Sequence, residues 1–289
     1  MPASSGNILD TIGSLYNSLT KTEKRIATTI LSSPQILCQC SLAEIAKQFD
    51  VGEATFIRFC RTLGFKGFTD FKLSLSIELA TKEKQSNSLL ESDISKNDDV
   101  PSIAAKLEVA INNVITETIN LLDFVQLEKV VKSMQKANNV YLFGVGSSGV
   151  TAEDAKYKFM RIGLPVDATS NNHFMYMQSA LMTNKDLVIG ISHSGYSKET
   201  IEALSIAKKN GAKTVAITHN LRSPITLVAD YVLINGNHQG QLQGDSIGTK
   251  IAQLFVLDLI YTLLVQAGEE QATTKKAKTV NVIMNQRAK

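Results

Sequence analysis

Cysteine is scarce in this 289-residue chain: Cys38, Cys40 and Cys60 are the only three, all in the first quarter. An odd count with one Cys-x-Cys pair makes no disulfide framework, which points to a reducing compartment. It also argues against a metal centre, because the four histidines (His173, His193, His219 and His238) all lie in the second half. Buried thiols are expected, with no metal site. Strong charge is lacking as well. A formal net charge of +3 is too small to attract a polyanion wholesale, so any nucleic-acid contact must come from locally concentrated basic groups. Long apolar runs are missing too. The segment IAQLFVLDLIYTLLV (251–265) carries Asp258 and falls short of the ~20 residues that span a bilayer, so it reads as a buried helix. The start MPASSGNILD lacks the basic and apolar blocks of a signal peptide. No internal repeats are visible. These absences together predict a cytoplasmic protein with no membrane partner.

What is present divides in two, as the length allows. Residues 1–80 read as consecutive helices. TKTEKRIATTILSS opens with Thr20 and Glu23 at capping-box spacing, and SLAEIAKQF repeats the device with Ser41 and Glu44. Residues 81–102 are polar, poor in aromatics and closed near Pro101, and read as a linker in which Leu89 and Leu90 are the groups able to dock. From 103 a helical pattern resumes. From 139 short apolar runs (NVYLFGVG, LPVDA, DLVIGIS, KTVAITH, DYVLING) alternate with helical segments. That grammar predicts an α/β domain over 103–268, with a five-stranded parallel sheet covered by helices on both faces. The basic segment 269–289 reads as a loose tail.

Within the first unit, LAEIAKQFDVGEATFIRFCRTLGF (42–65) looks like a helix-turn-helix. Ala46 sits where two helices must approach closely. Asp50 takes the turn position that needs a left-handed residue, and Val51 plugs the corner. In the second helix Phe56, Phe59, Cys60 and Leu63 fall on the inner face. Ala54, Thr55, Arg58, Arg61 and Thr62 are left outside. Small residues, hydroxyls and two arginines suit a major groove, and Lys66 and Lys72 follow as candidate backbone contacts. The plain alternative is ordinary three-helix packing with solvated arginines. Over 58–72, however, Arg58, Arg61, Lys66 and Lys72 face only Asp70, which favours DNA.

In the second unit two turns carry the chemistry. GVGSSG (144–149) follows a strand and opens a helix, with Asp167 about 20 residues on, which is the literal dinucleotide fingerprint. The second turn, ISHSGYSKET (191–200), crowds Ser192, Ser194, Ser197 and Thr200 around Gly195 at a helix start. Hydroxyls beside unsatisfied N–H groups and a positive dipole end match a phosphate monoester. A flavodoxin-like strand order 2-1-3-4-5 would line both turns along one crevice. The bland reading makes Ser197 a helix cap and leaves the other hydroxyls to the loop, which does not account for so many.

SHSGYSKET resembles the sugar-isomerase (SIS) signature, and GVGSS resembles that domain's first ligand loop. Together with the helix-turn-helix and GFKGFTDFK (64–72), the chain resembles the RpiR (MurR/RpiR) family of bacterial transcriptional regulators. The resemblance implies an all-α helix-turn-helix domain (1–80) joined to a SIS domain (103–268). It implies double-stranded operator DNA and a sugar-phosphate effector as partners, in a homodimer or homotetramer without cofactor. By the same resemblance Ser147, Ser148, Ser192, Ser194 and Ser197 contact the ligand with Gly195 in the turn, and Thr200 is a weaker case. Gly52 stands where the family commonly has a capping serine, and His193 is read as filling space. A phosphosugar isomerase is the alternative. Glu153, His219 or His238 would then be the general base, but no motif ties any of them to that task, so no catalytic residue is assigned. A NAD-linked enzyme resting on GVGSSG and Asp167 is the third reading.

Overall fold

A computed structural model describes residues 8–85, 95, 97–236 and 247–286. They form two compact units. One runs to Leu121 and includes Gly236; the other comprises Leu122–Asn235 and the described residues from 247 on. The expected role of Leu89 and Leu90 lies outside the described residues.

The first unit is helical: α1 (Ile8–Leu15), α2 (Lys21–Ser32), α3 (Ile36–Gln39), α4 (Leu42–Gln48), α5 (Glu53–Thr62), α6 (Phe68–Gln85) and α7 (Val100–Leu121). Both capping boxes form. The Thr20 and Ser41 hydroxyls accept from the Glu23 and Glu44 N–H groups, and each carboxylate accepts from the cap's own N–H. Ile12, Ile26, Ile30, Leu37, Ile45, Phe56, Phe59, Phe71 and Leu75 are fully buried. Aromatic rings step through this core edge to face: Phe49–Phe56 at 5.6 Å, Phe56–Phe68 at 5.9 Å, Phe59–Phe71 at 6.5 Å and Phe65–Phe71 at 5.2 Å. Of the thiols only Cys60 is buried; Cys38 and Cys40 are half-exposed. They sit at and just beyond the one-turn helix α3, which turns Leu37 inward instead.

Two segments of this unit differ from what the sequence predicts. Helix α6 continues to Gln85 and α7 begins at Val100, with Pro101 in the first turn, where its missing N–H is harmless. Asp99 Oδ1 accepts from the Ser102 N–H at 3.0 Å. Helix α7 packs with the first unit, through Asn120 to Asp10 at 3.4 Å among others, although the sequence pattern placed 103–121 in the second domain.

The second unit is α8 (Phe124–Lys136), β1 (Asn139–Gly144), α9 (Ser147–Arg161), β2 (Val166–Thr169), α10 (Asn172–Leu181), β3 (Asp186–Ile191), α11 (Lys198–Lys209), β4 (Lys213–Thr218), α12 (Pro224–Val228), β5 (Tyr231–Ile234), α13 (Ile247–Ala267) and α14 (Glu269–Asn285). The five strands are parallel, as expected, and their order is β2-β1-β3-β4-β5. Leu142, Ile189, Val215 and Leu233 pack with α8, α9 and α13 on one face, and Phe143, Val188 and Ala216 with α10, α11 and α12 on the other. All six residues of β3 are buried, which explains its unbroken apolar run.

The apolar segment 251–265 lies within helix α13, which is 21 residues long. Gly248–Ala267 is long and apolar enough to cross a membrane, yet Ala252, Gln253, Val256, Leu257, Ile260 and Leu264 are buried inside the unit. Segment 269–285, expected as a loose tail, is the helix α14. Glu269 and Glu270 complement its N-terminal dipole, and Ala272 anchors it.

Two buried groups give testable behaviour. Burial alone would raise the Asp186 pKa, but hydrogen bonds from Asn139 Nδ2 and from the Thr183 N–H and hydroxyl hold it below the usual value. A depressed carboxylate contributes stability above its unfolded pKa, about 4, that is lost as pH falls through the folded value. Asp186→Asn should therefore lower the melting temperature at pH 7 and flatten its fall below about pH 4. Burial pushes the Cys60 thiol up to about 12. Iodoacetamide at pH 8 should modify Cys60 only after denaturation, as read by peptide mass spectrometry.

Candidate functional site

Parallel pairing puts Phe143 opposite Gly190 and Gly144 opposite Ile191. The chain therefore leaves β1 and β3 at one level, at the carboxyl edge of adjacent strands, where the connections run to opposite sides of the sheet. Turn 144–149 and turn 192–197 flank this crevice.

The first turn depends on close backbone approach. A Cβ on Gly144 would lie 2.8 Å from the Ser148 carbonyl, and one on Gly149 would lie 2.7 Å from Ser170 Cβ. Gly146 has φ +58° with no atom within 4 Å of a notional Cβ, so open space faces this backbone. Ser147 is exposed at the start of α9. Ser148 is buried and accepts from Gln253 Nε2 at 3.0 Å.

The second turn is pinned from β4. Ser192 N–H donates to the Ile217 carbonyl, and the Thr218 hydroxyl and His219 N–H both donate to the His193 carbonyl. Gly195 has φ +74°, and a Cβ there would fall 1.9 Å from Ser223 Oγ. Ser192 Oγ is 2.9 Å from Ser197 Oγ and accepts from the Gly195 N–H at 3.2 Å, while Ser194 Oγ accepts from the Tyr196 N–H. Ser197 occupies the cap position of α11, but its side chain makes no cap bond. The bland reading is thus corrected for Ser197, whose hydroxyl pairs with Ser192 instead of capping α11, while Ser192 and Ser194 do accept from the loop's own N–H groups. Thr200 is fully buried, with its methyl 2.9 Å from where a Gly190 Cβ would stand. It sits on the buried side of α11, against β3.

The groups behind the rival readings are placed as well. The Asp167 carboxylate accepts from Lys156 Nζ at 2.7 Å and Gln178 Nε2 at 2.7 Å. Burial alone would raise its pKa, but these bonds hold it low. It is therefore engaged where a dinucleotide ribose would need it. His219 is buried, bonds through Nδ1 to the Asn235 carbonyl at 3.0 Å and stacks on His193 at 5.5 Å. Glu153 is half-buried on α9, and His238 lies outside the described residues. Among the described residues no three His, Cys, Asp or Glu side chains are grouped to hold a metal.

In the helical unit Asp50 takes φ 51°, the left-handed conformation read from its position. Phe56, Phe59, Cys60 and Leu63 point inward. Arg58, Arg61 and Lys66 are at least partly exposed, and Thr55 is half-exposed. Two expected DNA contacts have partners within the protein: the Thr62 hydroxyl donates to Glu23 Oε1 at 3.1 Å, and Lys72 Nζ to the Cys40 carbonyl at 2.8 Å. Residue spacing had not indicated Arg25, whose guanidinium donates to the Phe49 and Asp50 carbonyls at 3.2 and 2.7 Å and secures the turn. Gln253 was missed too, although an amide within an apolar helix was a visible signal.

Comparison with known proteins agrees with these two units. Residues 6–82 match the helix-turn-helix domain of the rpiR family, and residues 133–263 match the SIS domain. The chain belongs to the RpiR family of helix-turn-helix transcriptional regulators. It is 67% identical, over 99% of its own length and 100% of the relative's, to an uncharacterized HTH-type transcriptional regulator of Haemophilus influenzae. Its fold is similar to that of the Vibrio vulnificus NanR protein complexed with ManNAc-6P, with TM-score 0.62 and 23% identity over 98% of this chain and 100% of that one. It is also similar to the sugar isomerase domain of the RpiR transcription factor from Sphaerobacter thermophilus, with TM-score 0.58 and 21% identity over 62% and 98%.

Gly195→Ala should destabilise the second unit by about 2 kcal/mol or more, since it combines a left-handed backbone with a clash. Urea unfolding followed by circular dichroism measures this.

Proposed function

We propose that this transcriptional regulator senses a phosphorylated sugar held between the turns 144–149 and 192–197 and adjusts its grip on operator DNA accordingly. The observation that carries the reading is the in-register pairing of β1 with β3, which brings two serine-bearing turns and the start of α9 to one crevice. The anion is received by Ser147, Ser148, Ser192, Ser194 and Ser197, together with the first amides of α9, which have no intrahelical partner. Thr200 supports the turn from below. The NanR protein, complexed with ManNAc-6P, supports a phosphosugar in a fold of this kind.

The protein acts as a sensor and not as an isomerase. An isomerase needs a base poised over the carbon that loses its proton; His219 is stacked and bonded within the fold, and Glu153 sits on α9 without a motif behind it. On the DNA side, Arg58 and Arg61 read base edges from α5, with Thr55 beside them. Lys66 contacts the backbone, and Thr62 and Lys72 support the helix. The protein is cytoplasmic and binds its operator as a homodimer or homotetramer. Effector changes the arrangement of the paired heads in proportion to its different affinity for the two arrangements.

A thermal-shift screen against sugar phosphates tests the sensing half. One of them should raise the melting temperature through binding to the folded state, and no shift with any, at millimolar concentration, would sink it. For the DNA half, Arg58→Ala with Arg61→Ala should weaken binding to duplexes selected by the wild-type protein by about 1–3 kcal/mol per residue. Fluorescence anisotropy reads this, and unchanged affinity removes α5 as the reading helix.

A further inference from the structure

Gln253 is fully buried on α13, in a stretch whose neighbours Ala252, Val256 and Leu257 are core residues. A primary amide offers two donors and one acceptor, and buried polar groups ordinarily find partners for them. Here Nε2 donates to Ser148 Oγ at 3.0 Å, while Oε1 has no hydrogen-bond partner among the described residues. Exchanging the amide's nitrogen and oxygen would turn the orphan acceptor into an orphan donor without removing it. An apolar side chain of the same size would suit this position better if packing were its whole purpose.

Its bonding partner is the second residue of α9, beside exposed Ser147 and the open backbone at Gly146. A serine hydroxyl that accepts from Gln253 keeps its own proton to give away. A bound anion needs that proton.

We infer that Gln253 is a positioning and specificity-determining residue of the sugar-phosphate site: Nε2 turns the Ser148 hydroxyl proton toward an anionic oxygen, and Oε1 accepts a hydroxyl hydrogen of the sugar. This rests on the function proposed above and names the group that separates a sugar phosphate from a bare phosphate. Gln253 makes its first contribution through Ser148 and its second by direct contact. The acceptor left without a partner among the described residues is thereby completed in the complex.

The test measures binding of inorganic phosphate, ManNAc-6P and glucose 6-phosphate to the full chain by calorimetry, beside the melting temperature without ligand. Gln253→Met should melt no lower than wild type yet bind whichever sugar phosphate the wild type binds at least tenfold more weakly, with a smaller loss for inorganic phosphate. In a Ser148→Ala background the same substitution should lose less, because its positioning role is already gone. Should the methionine variant not fold, Gln253→Glu preserves shape and replaces the donor with a second acceptor; it should reject all three anions. Wild-type affinity for sugar phosphate in the variant that folds overturns the assignment of Gln253. Equal losses for phosphate and sugar phosphate overturn the hydroxyl contact. A variant that both melts lower and binds weaker in proportion reveals a merely structural residue. If the wild type binds neither sugar phosphate, one found by the thermal-shift screen takes their place, and if that screen finds none the phosphosugar reading fails and this inference fails with it.

Discussion

The in-register parallel pairing of β1 and β3 is the constraint on which the second unit's chemistry depends. These strands are joined by a long excursion through α9, β2, α10 and their connections, so nothing local in the chain makes them neighbours. Their carboxyl ends finish level because Gly144 stands opposite Ile191. A shift of register would slide one serine turn along the sheet and separate the hydroxyls that face the crevice. The buried strand β3 resists such a shift, since its residues serve both cores at once: Leu187, Ile189 and Ile191 on one face and Val188 on the other. The β4 loop adds a second restraint. Its backbone and Thr218 hold the His193 carbonyl, and Ser223 closes over Gly195.

Much of this was legible in the chain, for physical reasons that differ by region. The strand alternation and the two serine turns have local signatures: apolar runs, glycines at close approaches and hydroxyls ahead of helices. The left-handed Asp50 and the inward faces of α5 were equally readable, because helical period and turn chemistry operate over a few residues. What escaped the sequence reading is nonlocal. Arg25 grips a turn 25 residues away, and Gln253 reaches Ser148 across 105. No spacing rule links such positions. The helical state of 269–285 was missed for another reason: a polar, basic composition was read as looseness, whereas acidic residues at its start and alanine in its first turns suffice for a helix.

Hydroxyls and amines that look alike in sequence also take different roles once partners are counted. Thr62 and Lys72 stand in the basic stretch that the sequence offers for DNA contact, yet Glu23 and the Cys40 carbonyl hold them. Glu23 already closes the cap of α2, so one carboxylate joins the start of that helix to the end of α5. Asp167 follows the same logic in the second unit. Its position about 20 residues beyond a glycine-rich turn reads as a ribose ligand, while its contacts with Lys156 and Gln178 tie α9 and α10 to the edge strand.

Edge-to-face pairs in the helical unit join Phe49 beyond α4 and Phe68 on α6 to Phe56 on α5, and Phe71 on α6 to Phe59 on α5, with Phe56 and Phe59 tilted to each other. Flat rings locked at steep mutual angles resist sliding as well as separation. The helix bearing Arg58 and Arg61 is consequently braced from two sides, by Phe49 and by the rings of α6. Whatever the exposed arginine side chains do, the backbone that carries them is fastened to its neighbours by interlocked rings.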